Sequence, residues 1–303
     1  MATPLQVTTM CSFVGEEKNR IKGIIALDLD GTLLNSKKEL SEGNLHALRC
    51  AAEAGWAIVP TTGRFYGGMP EVIRQLPFVH YAITINGAAV LDLTGREQKT
   101  LYRAEIPWEK AVEIMTWLDE KPVIYDCYMN HAAWMTEGLK AQVNQVIEDE
   151  KIRKMFHDLR QPVPELKEFI ASYAPEKGID VQKVQFFTRD MDLRKRLLEE
   201  IPQVFPGILA TSSSPQNIEL NWLDANKGKA LMALAKVLGV DPKNTLAFGD
   251  GLNDVAMILA AGIGFAMENA EPEVKAVADR IALSCDADGV AYGIEAVCGL
   301  TLK

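Results

Sequence analysis

The segment GIIALDLDGT, residues 23–32, decides the fold. Its first five residues form an uninterrupted apolar run that stops at Asp28, a pattern typical of a parallel strand buried on both faces. Asp28 and Asp30 lie two residues apart, so on an extended backbone their side chains point to the same side, and Gly31 permits a sharp turn after them. Two carboxylates in one small site repel, so either a cation joins them or one holds a proton. An Asp-Gly turn beside a solvated aspartate is the alternative interpretation.

Strands and helices alternate on both sides of this segment. A helix capped by Ser41 and ended by Gly55 follows it and leads to a second apolar strand. Strands are predicted at about residues 56–60, 81–85, 245–248, 262–266 and 280–283, and further helices at about residues 227–238 and 253–260. This alternation indicates right-handed crossovers and an α/β fold with a doubly wound parallel sheet.

The middle of the chain has a different pattern, with hairpins among the helices. A hairpin is predicted over residues 89–101, helices over 108–118, 139–156 and 193–201, strands over 123–129, 132–136, 181–188 and 208–220, and a loop over 161–164. Such an arrangement is typical of an inserted α+β domain with antiparallel strands. The expected division is a leader of residues 1–20, a discontinuous core domain of residues 21–88 and 221–303, and an inserted domain of residues 89–220.

The composition is that of an ordinary globular protein, with 48% hydrophobic and 24% charged residues among 303. A formal net charge of −9 repels phosphate backbones, so nucleic acid is not an expected partner. The longest apolar stretch, residues 255–267, is shorter than the ~20 residues that span a bilayer, and residues 1–20 lack the pattern of a signal peptide. A membrane is therefore not an expected partner either.

The five cysteines are widely scattered and form no C-x-x-C pair, and no histidine stands at zinc-ligand spacing from them. This usage favours free thiols in a reducing, cytoplasmic compartment. Each cysteine is expected to act as a small buried apolar residue rather than as a nucleophile.

Three further polar segments follow predicted strands or begin predicted helices. They are Thr61-Thr62-Gly63-Arg64 after the second strand, NKGKAL at residues 226–231, and GDGLND at residues 249–254. Each segment alone has an ordinary structural explanation, such as a turn, an exposed lysine or an aspartate that caps a helix. Because open α/β sheets bind ligands at the C-terminal ends of their strands, these segments and the first one together predict a single site.

With ALDLDGTLL at residues 26–34, these segments resemble, in order and placement, the four motifs of the haloacid dehalogenase-like phosphohydrolase superfamily. Asn86-Gly87-Ala88, Asp288-Gly289-Val290 and an insert between the second and third motifs are similar to its Cof-like branch, subfamily IIB. The resemblance covers the whole core domain, although Pro60 before the threonines is a less usual residue. It implies a Rossmann-like core, and an inserted cap that closes over the site and determines specificity.

The resemblance also implies roles for the motif residues. Asp28 would be the nucleophile that forms an aspartyl-phosphate, and Asp30 would serve as acid and base. The phosphoryl group would be bound by Thr62, Gly63, Lys227 and Asn253. A Mg²⁺ cofactor would be bound by Asp28, the Asp30 backbone carbonyl, Asp250 and Asp254, the last directly or through water.

The function implied is Mg²⁺-dependent hydrolysis of a small phosphorylated metabolite, with a sugar phosphate as the leading candidate. Pyridoxal phosphate, flavin mononucleotide and similar compounds are further candidates, because nothing in the sequence separates them. A phosphomutase of the same superfamily is the main alternative. A binding role on a disabled core is disfavoured, because every acidic and lysine residue of the motifs is present.

Overall fold

The computed structural model describes residues 21–212 and 214–299, so the expected leader lies outside the described residues. The N-terminal part contains β1 (Gly23–Leu27), α1 (Glu42–Glu53), β2 (Trp56–Pro60), α2 (Glu71–Arg74), β3 (Tyr81–Thr84), β4 (Ala89–Asp92) and β5 (Lys99–Arg103). The middle contains α3 (Trp108–Leu118), β6 (Ile124–Met129), β7 (Ala132–Thr136), α4 (Glu137–Lys140), α5 (Val143–Val146), α6 (Glu150–Leu159), β8 (Arg160–Val163), α7 (Leu166–Lys177), β9 (Lys183–Phe187), α8 (Met191–Val204), β10 (Ile208–Thr211) and β11 (Asn217–Trp222). The C-terminal part contains α9 (Lys227–Leu238), β12 (Thr245–Gly249), α10 (Val255–Ala260), β13 (Ile263–Ala266), α11 (Pro272–Val277), β14 (Arg280–Ile281) and α12 (Gly289–Cys298).

Five parallel strands form the first sheet, in the order β14-β13-β12-β1-β2. In β1, Ile25 and Leu27 belong to an apolar cluster that includes α1 and α12. Ile24 and Ala26 of the same strand belong to a different cluster, which includes α9. The apolar run is therefore buried on both faces, and the predicted doubly wound parallel sheet is confirmed.

A three-stranded antiparallel sheet of β3, β4 and β5 lies beside β2. The chain reverses between β3 and β4 because Asn86 and Gly87 adopt positive φ angles of 55° and 96°. Val90 of β4 then shares an apolar cluster with Ile24 of the parallel sheet. The hairpin that was expected to begin the insert at residue 89 therefore packs with the core.

The remaining strands form a six-stranded sheet in the order β10-β11-β9-β6-β7-β8. Strands β7 and β8 run parallel, and the other neighbours run antiparallel. Helices α3, α7 and α8 contribute Ile114, Ile170 and Leu197 to the apolar cluster on one face of this sheet. Because β11 belongs to this sheet and β5 does not, we propose that the inserted domain begins after β5 and ends with β11, rather than spanning residues 89–220.

The single helix expected over residues 139–156 is wrong, and three short helices take its place. The Gln216 side chain stabilises the break between α5 and α6, since it accepts a hydrogen bond from Glu148 N (3.0 Å) and donates one to Val146 O (3.1 Å). Asp149 then caps α6 by accepting a backbone hydrogen bond of 3.0 Å. Gln216, which is distant in sequence, thus separates two helices, whereas the pattern of polar and apolar residues predicts one continuous helix.

Other elements of the middle and the C-terminal part were also missed. The loop expected over residues 161–164 is largely strand β8, whose edge position tolerates Pro162. The strand expected over residues 208–220 is a hairpin of β10 and β11. Helices α7, α11 and α12 were not predicted, because residues such as Pro175 in α7 and Gly293 in α12 disfavour helices. Gly293 is needed where it stands, since a Cβ there would lie 2.4 Å from a phenylalanine ring of β12.

Among the described residues, none of the helices combines the length and the apolar composition that a membrane-spanning helix requires. Four cysteines of that part, Cys50, Cys127, Cys285 and Cys298, are free thiols. Cys127 and Cys285 are buried, as expected, but Cys50 and Cys298 are only half-buried, so the expectation is wrong for these two. Cys11 lies outside the described residues.

Candidate active site

The predicted site residues gather at the C-terminal end of the parallel sheet. Strands β1 and β12 are adjacent, with Leu27 opposite Phe248, so Asp28 and Asp250 leave the sheet close together. The backbone ties them further, because Asp28 N donates a hydrogen bond of 3.0 Å to Phe248 O. The topology of the sheet thus unites two motif segments that are far apart in the sequence.

Lys227 is fully buried at the first residue of α9. Its Nζ donates hydrogen bonds of 2.6 Å to Asp28 Oδ1 and 2.6 Å to Asp254 Oδ1. The helix begins here because the Asn226 side chain accepts a hydrogen bond of 2.8 Å from Lys229 N. Burial alone would lower the pKa of Lys227, but the two carboxylates outweigh burial and raise it. Lys227 is therefore a fixed cation between the first and fourth motifs.

The turn after β12 folds around the carboxylate of Asp254. Its Oδ2 accepts hydrogen bonds from the backbone N–H groups of Asp250 (3.0 Å) and Gly251 (3.1 Å). Asp250 Oδ1 in turn accepts a hydrogen bond of 2.8 Å from Thr32 Oγ1. Gly249 is required in this turn, because a Cβ there would lie 2.3 Å from the Asp254 Cβ. These contacts fix the orientation of both carboxylates.

Asp28, Asp250 and Asp254 each offer one carboxylate oxygen, and these oxygens all lie within 4.8 Å of one another. Burial raises the pKa of Asp28 to about 7, with the neighbouring carboxylates adding to the shift and Lys227 opposing it. Burial and the charge of Asp254 raise the pKa of Asp250 to about 6, against the hydrogen bond from Thr32. One lysine does not balance three carboxylates, so this cluster is suited to a further cation. Its oxygen donors match the ligands of hard divalent cations.

The side chain of Asp30 does not belong to this group of three carboxylates. It accepts hydrogen bonds from Arg64 Nε (2.9 Å) and Nη2 (3.0 Å), and Lys38 Nζ lies 3.1 Å from its Oδ1. Burial would raise the pKa of Asp30, but the hydrogen bonds and charges of these two cations outweigh burial and lower it. The structure thus places the predicted acid and base beside the cluster, as a carboxylate held by two cations.

Thr62 and Gly63 form a turn at the end of β2, on the other side of β1. Thr62 N donates a hydrogen bond of 2.9 Å to a carbonyl oxygen of β3, and Thr62 Oγ1 accepts one of 3.2 Å from Arg64 N. Asn253 reaches the same place, because its Nδ2 donates a hydrogen bond of 3.1 Å to Asn86 Oδ1. A Cβ on Gly63 would lie 2.8 Å from that same oxygen. Thr62, Gly63 and Asn253, three of the predicted phosphate ligands, therefore all lie next to Asn86.

Sequence reasoning gave no role to several residues that hold the site together. Thr32 and Arg64 stand within the quoted motifs, so the motifs themselves carried the signal. Lys183 of the inserted domain was missed altogether, although its Nζ donates hydrogen bonds to Glu219 Oε2 (2.7 Å) and to the Gly63 carbonyl oxygen (3.1 Å). The available signal was the alternation of polar and apolar residues in β9, which indicates a polar face but not what covers it.

A family model described as haloacid dehalogenase-like hydrolase matches residues 25–294. The chain belongs to this family. Phosphatase YwpJ of Bacillus subtilis (strain 168) is 30% identical over 285 residues, which cover 89% of this chain and 97% of the relative. The 5-amino-6-(5-phospho-D-ribitylamino)uracil phosphatase YcsE of the same organism is 33% identical over 275 residues, covering 89% of this chain and 94% of the relative. A solved haloacid dehalogenase-like hydrolase structure from B. subtilis is 29% identical and has a TM-score of 0.74, covering 91% of this chain and 99% of that one.

These matches confirm the resemblance to the haloacid dehalogenase-like superfamily and to its Cof-like branch. The α/β fold with a parallel core sheet and a cap is likewise confirmed. The chain is an enzyme of the phosphatase type, a phosphoric monoester hydrolase.

Proposed function

We propose that the enzyme is a Mg²⁺-dependent phosphatase that hydrolyses a small phosphomonoester through an aspartyl-phosphate on Asp28. The position of Asp28 carries this proposal: its carboxylate accepts a hydrogen bond of 2.6 Å from Lys227. It also lies within 4.8 Å of carboxylate oxygens of Asp250 and Asp254. A carboxylate fixed beside one cation, in a site suited to a second, can approach a phosphoryl group whose negative charge those cations offset.

The carboxylates of Asp28 and Asp250, the backbone carbonyl of Asp30 and, directly or through water, the carboxylate of Asp254 would hold the Mg²⁺. This donor set fits the ion, because all four ligands are oxygens. Bound Mg²⁺ supplies positive charge that stabilises the phosphoryl oxygens as the reaction proceeds. The raised pKa values of Asp28 and Asp250 support the assignment, since burial first of all, and the neighbouring carboxylates in addition, disfavour the ionised forms until a cation binds.

In the first step, an oxygen of Asp28 forms a bond to phosphorus while the bond from phosphorus to the leaving oxygen breaks. Asp30 gives a proton to the leaving oxygen, and in the second step it takes a proton from the water that attacks the aspartyl-phosphate. That attack releases inorganic phosphate and restores Asp28. The contacts of Asp30 with Arg64 and Lys38 favour its ionised form, the state that can accept a proton from water, but they also make it a weaker base. Proton donation requires that these contacts loosen.

The phosphoryl oxygens would be bound by Thr62, Gly63, Lys227 and Asn253. Lys227 is already in contact with the proposed nucleophile, and the other three lie in the turns after β2 and β12 on either side of β1. Donors fixed in advance stabilise charge that develops on transfer without having to reorganise.

A sugar phosphate is the proposed substrate. The face of the six-stranded sheet opposite α3, α7 and α8 carries further buried polar side chains, among them Gln185 and Asn221. This polar face meets the core where Phe65 packs against Tyr128, with ring centroids 5.1 Å apart. Buried donors and acceptors suit a hydroxyl-rich leaving group better than an aromatic ring. The name of the relative YcsE, which specifies a 5-phospho-D-ribitylamino group, supports this choice.

The direct test is phosphate release from sugar phosphates, pyridoxal phosphate, flavin mononucleotide and p-nitrophenyl phosphate, with Mg²⁺ or with a chelator. Wild type is compared with Asp28→Asn and with Asp241→Asn, an exposed position that serves as the matched control. Release that needs Mg²⁺, survives in Asp241→Asn and is lost in Asp28→Asn supports the proposal. Phosphate release that persists in Asp28→Asn contradicts the assignment of Asp28 as the nucleophile. Release that continues at the same rate with the chelator contradicts the proposed dependence on Mg²⁺.

The phosphomutase alternative is examined with the same proteins. Each sugar phosphate is incubated with the enzyme, and the products are separated to detect isomers that retain the phosphoryl group. A phosphatase yields free sugar and inorganic phosphate in equal amounts. Isomerised sugar phosphate without phosphate release would replace the proposed function by that of a mutase.

A further inference from the structure

Lys183 is a buried lysine of the inserted domain that reaches the proposed phosphate-binding turn of the core. It lies on β9 and is 1% exposed. Its Nζ is shared between Glu219 Oε2 at 2.7 Å and the Gly63 carbonyl oxygen at 3.1 Å. Gly63 stands 120 residues earlier in the chain, so this hydrogen bond joins the two domains at the turn itself.

The peptide group between Gly63 and Arg64 links the Lys183 hydrogen bond to the Thr62 hydroxyl. The carbonyl that accepts from Lys183 and the N–H of Arg64 belong to the same planar unit. That N–H donates a hydrogen bond of 3.2 Å to Thr62 Oγ1. Fixing the carbonyl therefore fixes the N–H, and the N–H fixes the oxygen proposed to bind phosphate.

Glu219 extends the same contact to Asn253. Asn86 Nδ2 donates a hydrogen bond of 3.4 Å to Glu219 Oε2, and Asn86 Oδ1 accepts one of 3.1 Å from Asn253 Nδ2. The chain of contacts thus runs from the inserted domain through Asn86 to the turn after β12. One ion pair of the inserted domain is connected in this way to the turns on both sides of β1.

We propose that Lys183 and Glu219 are positioning residues that align Thr62, Gly63 and Asn253 for the phosphoryl group when the inserted domain is closed on the core. They do not touch the reacting atoms. This inference rests on the proposed function, because it takes these three residues as phosphate ligands. Its consequence is that closure of the inserted domain and phosphate binding strengthen each other.

The Arg160–Asp126 pair offers a matched control within the same sheet. Both side chains are buried, and Arg160 Nε donates a hydrogen bond of 2.8 Å to Asp126 Oδ2. Arg160 Nη2 donates a further one to Tyr128 OH, so the hydrogen bonds of its guanidinium in the described chain stay within the inserted domain. Removing this pair disturbs a buried ion pair of the same kind without breaking a hydrogen bond to the phosphate-binding turn.

The experiment compares the double variants Lys183→Met/Glu219→Gln and Arg160→Met/Asp126→Asn with wild type. Each removes both charges of its pair, so no buried charge is left without a partner. Calorimetry with inorganic phosphate in the presence of Mg²⁺ gives Kd, and sugar phosphate hydrolysis gives kcat and KM. In the first variant, Kd and KM are expected to rise about tenfold, the value of one charge-assisted hydrogen bond, with a smaller change in kcat. In the second variant, the Kd for phosphate is expected to stay at the wild-type value.

Single variants keep the test independent of how well the double variant folds. Lys183→Arg, which retains the cation, is expected to keep part of the affinity for phosphate. Glu219→Gln, which retains Lys183 but weakens its anchor, is expected to raise Kd in the same direction as the double variant. Neither outcome follows from a role confined to stability.

An unchanged Kd and KM in folded Lys183→Met/Glu219→Gln would reduce the pair to a structural contact and overturn the inference. Equal losses in both double variants would overturn it too, because general loosening of the inserted domain would then explain them. A wild type that binds phosphate but hydrolyses no phosphomonoester contradicts the proposed function alone, and the Kd comparison still decides the role of Lys183. A wild type that binds no phosphate overturns both proposals.

Discussion

The core and the inserted domain both bury charged side chains, but the balance of charge differs between them. The core cluster consists of Lys227, Asp28, Asp250 and Asp254, and the inserted domain carries the pairs Arg160–Asp126 and Lys183–Glu219. In the core one cation faces three carboxylates, whereas in the inserted domain each cation has one. A balanced pair buries no net charge, whereas an unbalanced cluster is costly until a cation binds. The imbalance therefore coincides with the proposed catalytic site, and one of the balanced pairs, Lys183–Glu219, is the pair proposed to position it.

Among the buried cations of the two regions, the largest effect is expected on removal of the one cation of the core cluster. Lys227→Met is expected to lower kcat/KM by about 10²–10³, the cost of losing one group that stabilises charge in the transition state. Steady-state phosphate release measures it. Lys229→Met, two residues along α9 and paired with Asp224 at the surface, is the matched control and is expected to retain activity. Activity of Lys227→Met close to that of the control would remove Lys227 from the proposed mechanism.

The next largest effect is expected from breaking a balanced ion pair of the inserted domain. Arg160→Met leaves Asp126 buried without its partner and is expected to lower the free energy of unfolding by about 3 kcal/mol. Arg160→Met/Asp126→Asn removes both charges and is expected to cost much less. Urea unfolding of the two variants provides the comparison. Equal losses would mean that packing of the Arg160 side chain, rather than charge balance, stabilises this face.

Metal binding tests the imbalance of the core cluster directly. Mg²⁺ at about one hundred times its Kd is expected to raise the free energy of unfolding by about 2.7 kcal/mol, because it binds the folded protein alone. Without metal, Asp250→Asn is expected to be more stable than wild type, since one of the repelling carboxylates is gone. Thermal unfolding with Mg²⁺, with chelator, and with NaCl of equal ionic strength separates specific binding from screening. A shift of the same size in NaCl would argue against a metal site.

The core site could be predicted from sequence because each of its residues stands where a visible local pattern ends. Asp28 follows an apolar run, and Lys227 follows Asn226, a residue typical of a helix start. Once the strands are recognised as parallel and adjacent, the sheet brings their ends together. The order of the motifs added the roles that spacing alone does not give.

The contacts of the inserted domain could not be predicted in the same way. Glu219 alternates with apolar neighbours in β11, and that pattern is the same whether its polar side faces water or another domain. Lys183 meets Gly63 only because the two domains pack together, a contact between residues distant in sequence. Gln216 likewise interrupts a helical pattern from outside it. Tertiary contacts thus overrode local patterns in this domain.

Glu105 lies where the chain passes from β5 into the inserted domain. Its negative charge is only partly compensated by a nearby cation, so it is intermediate between the unbalanced core cluster and the balanced pairs of the inserted domain. Its side chain is 7% exposed, and Arg103 Nη1 is 3.7 Å from its Oε2, a longer separation than in the buried pairs. The same oxygen accepts a hydrogen bond of 3.3 Å from Asp180 N. Burial raises the pKa of Glu105 to about 7, and Arg103 only partly opposes the shift.

The smallest expected effect is a pH dependence of stability caused by Glu105. The folded protein binds this proton more tightly than the unfolded chain does, where the pKa has its ordinary value of 4.5. The stability that Glu105 contributes is therefore complete below that value and is lost as the pH rises through about 7, by up to about 1.4 kcal/mol per pH unit. Urea unfolding at about pH 5 and about pH 8 should show a smaller decrease for Glu105→Gln than for wild type or for Glu120→Gln, an exposed control. An equal decrease in all three proteins would mean that Arg103 fully compensates the charge of Glu105. The connection between the domains would then contain a balanced ion pair, like those of the inserted domain and unlike the core cluster.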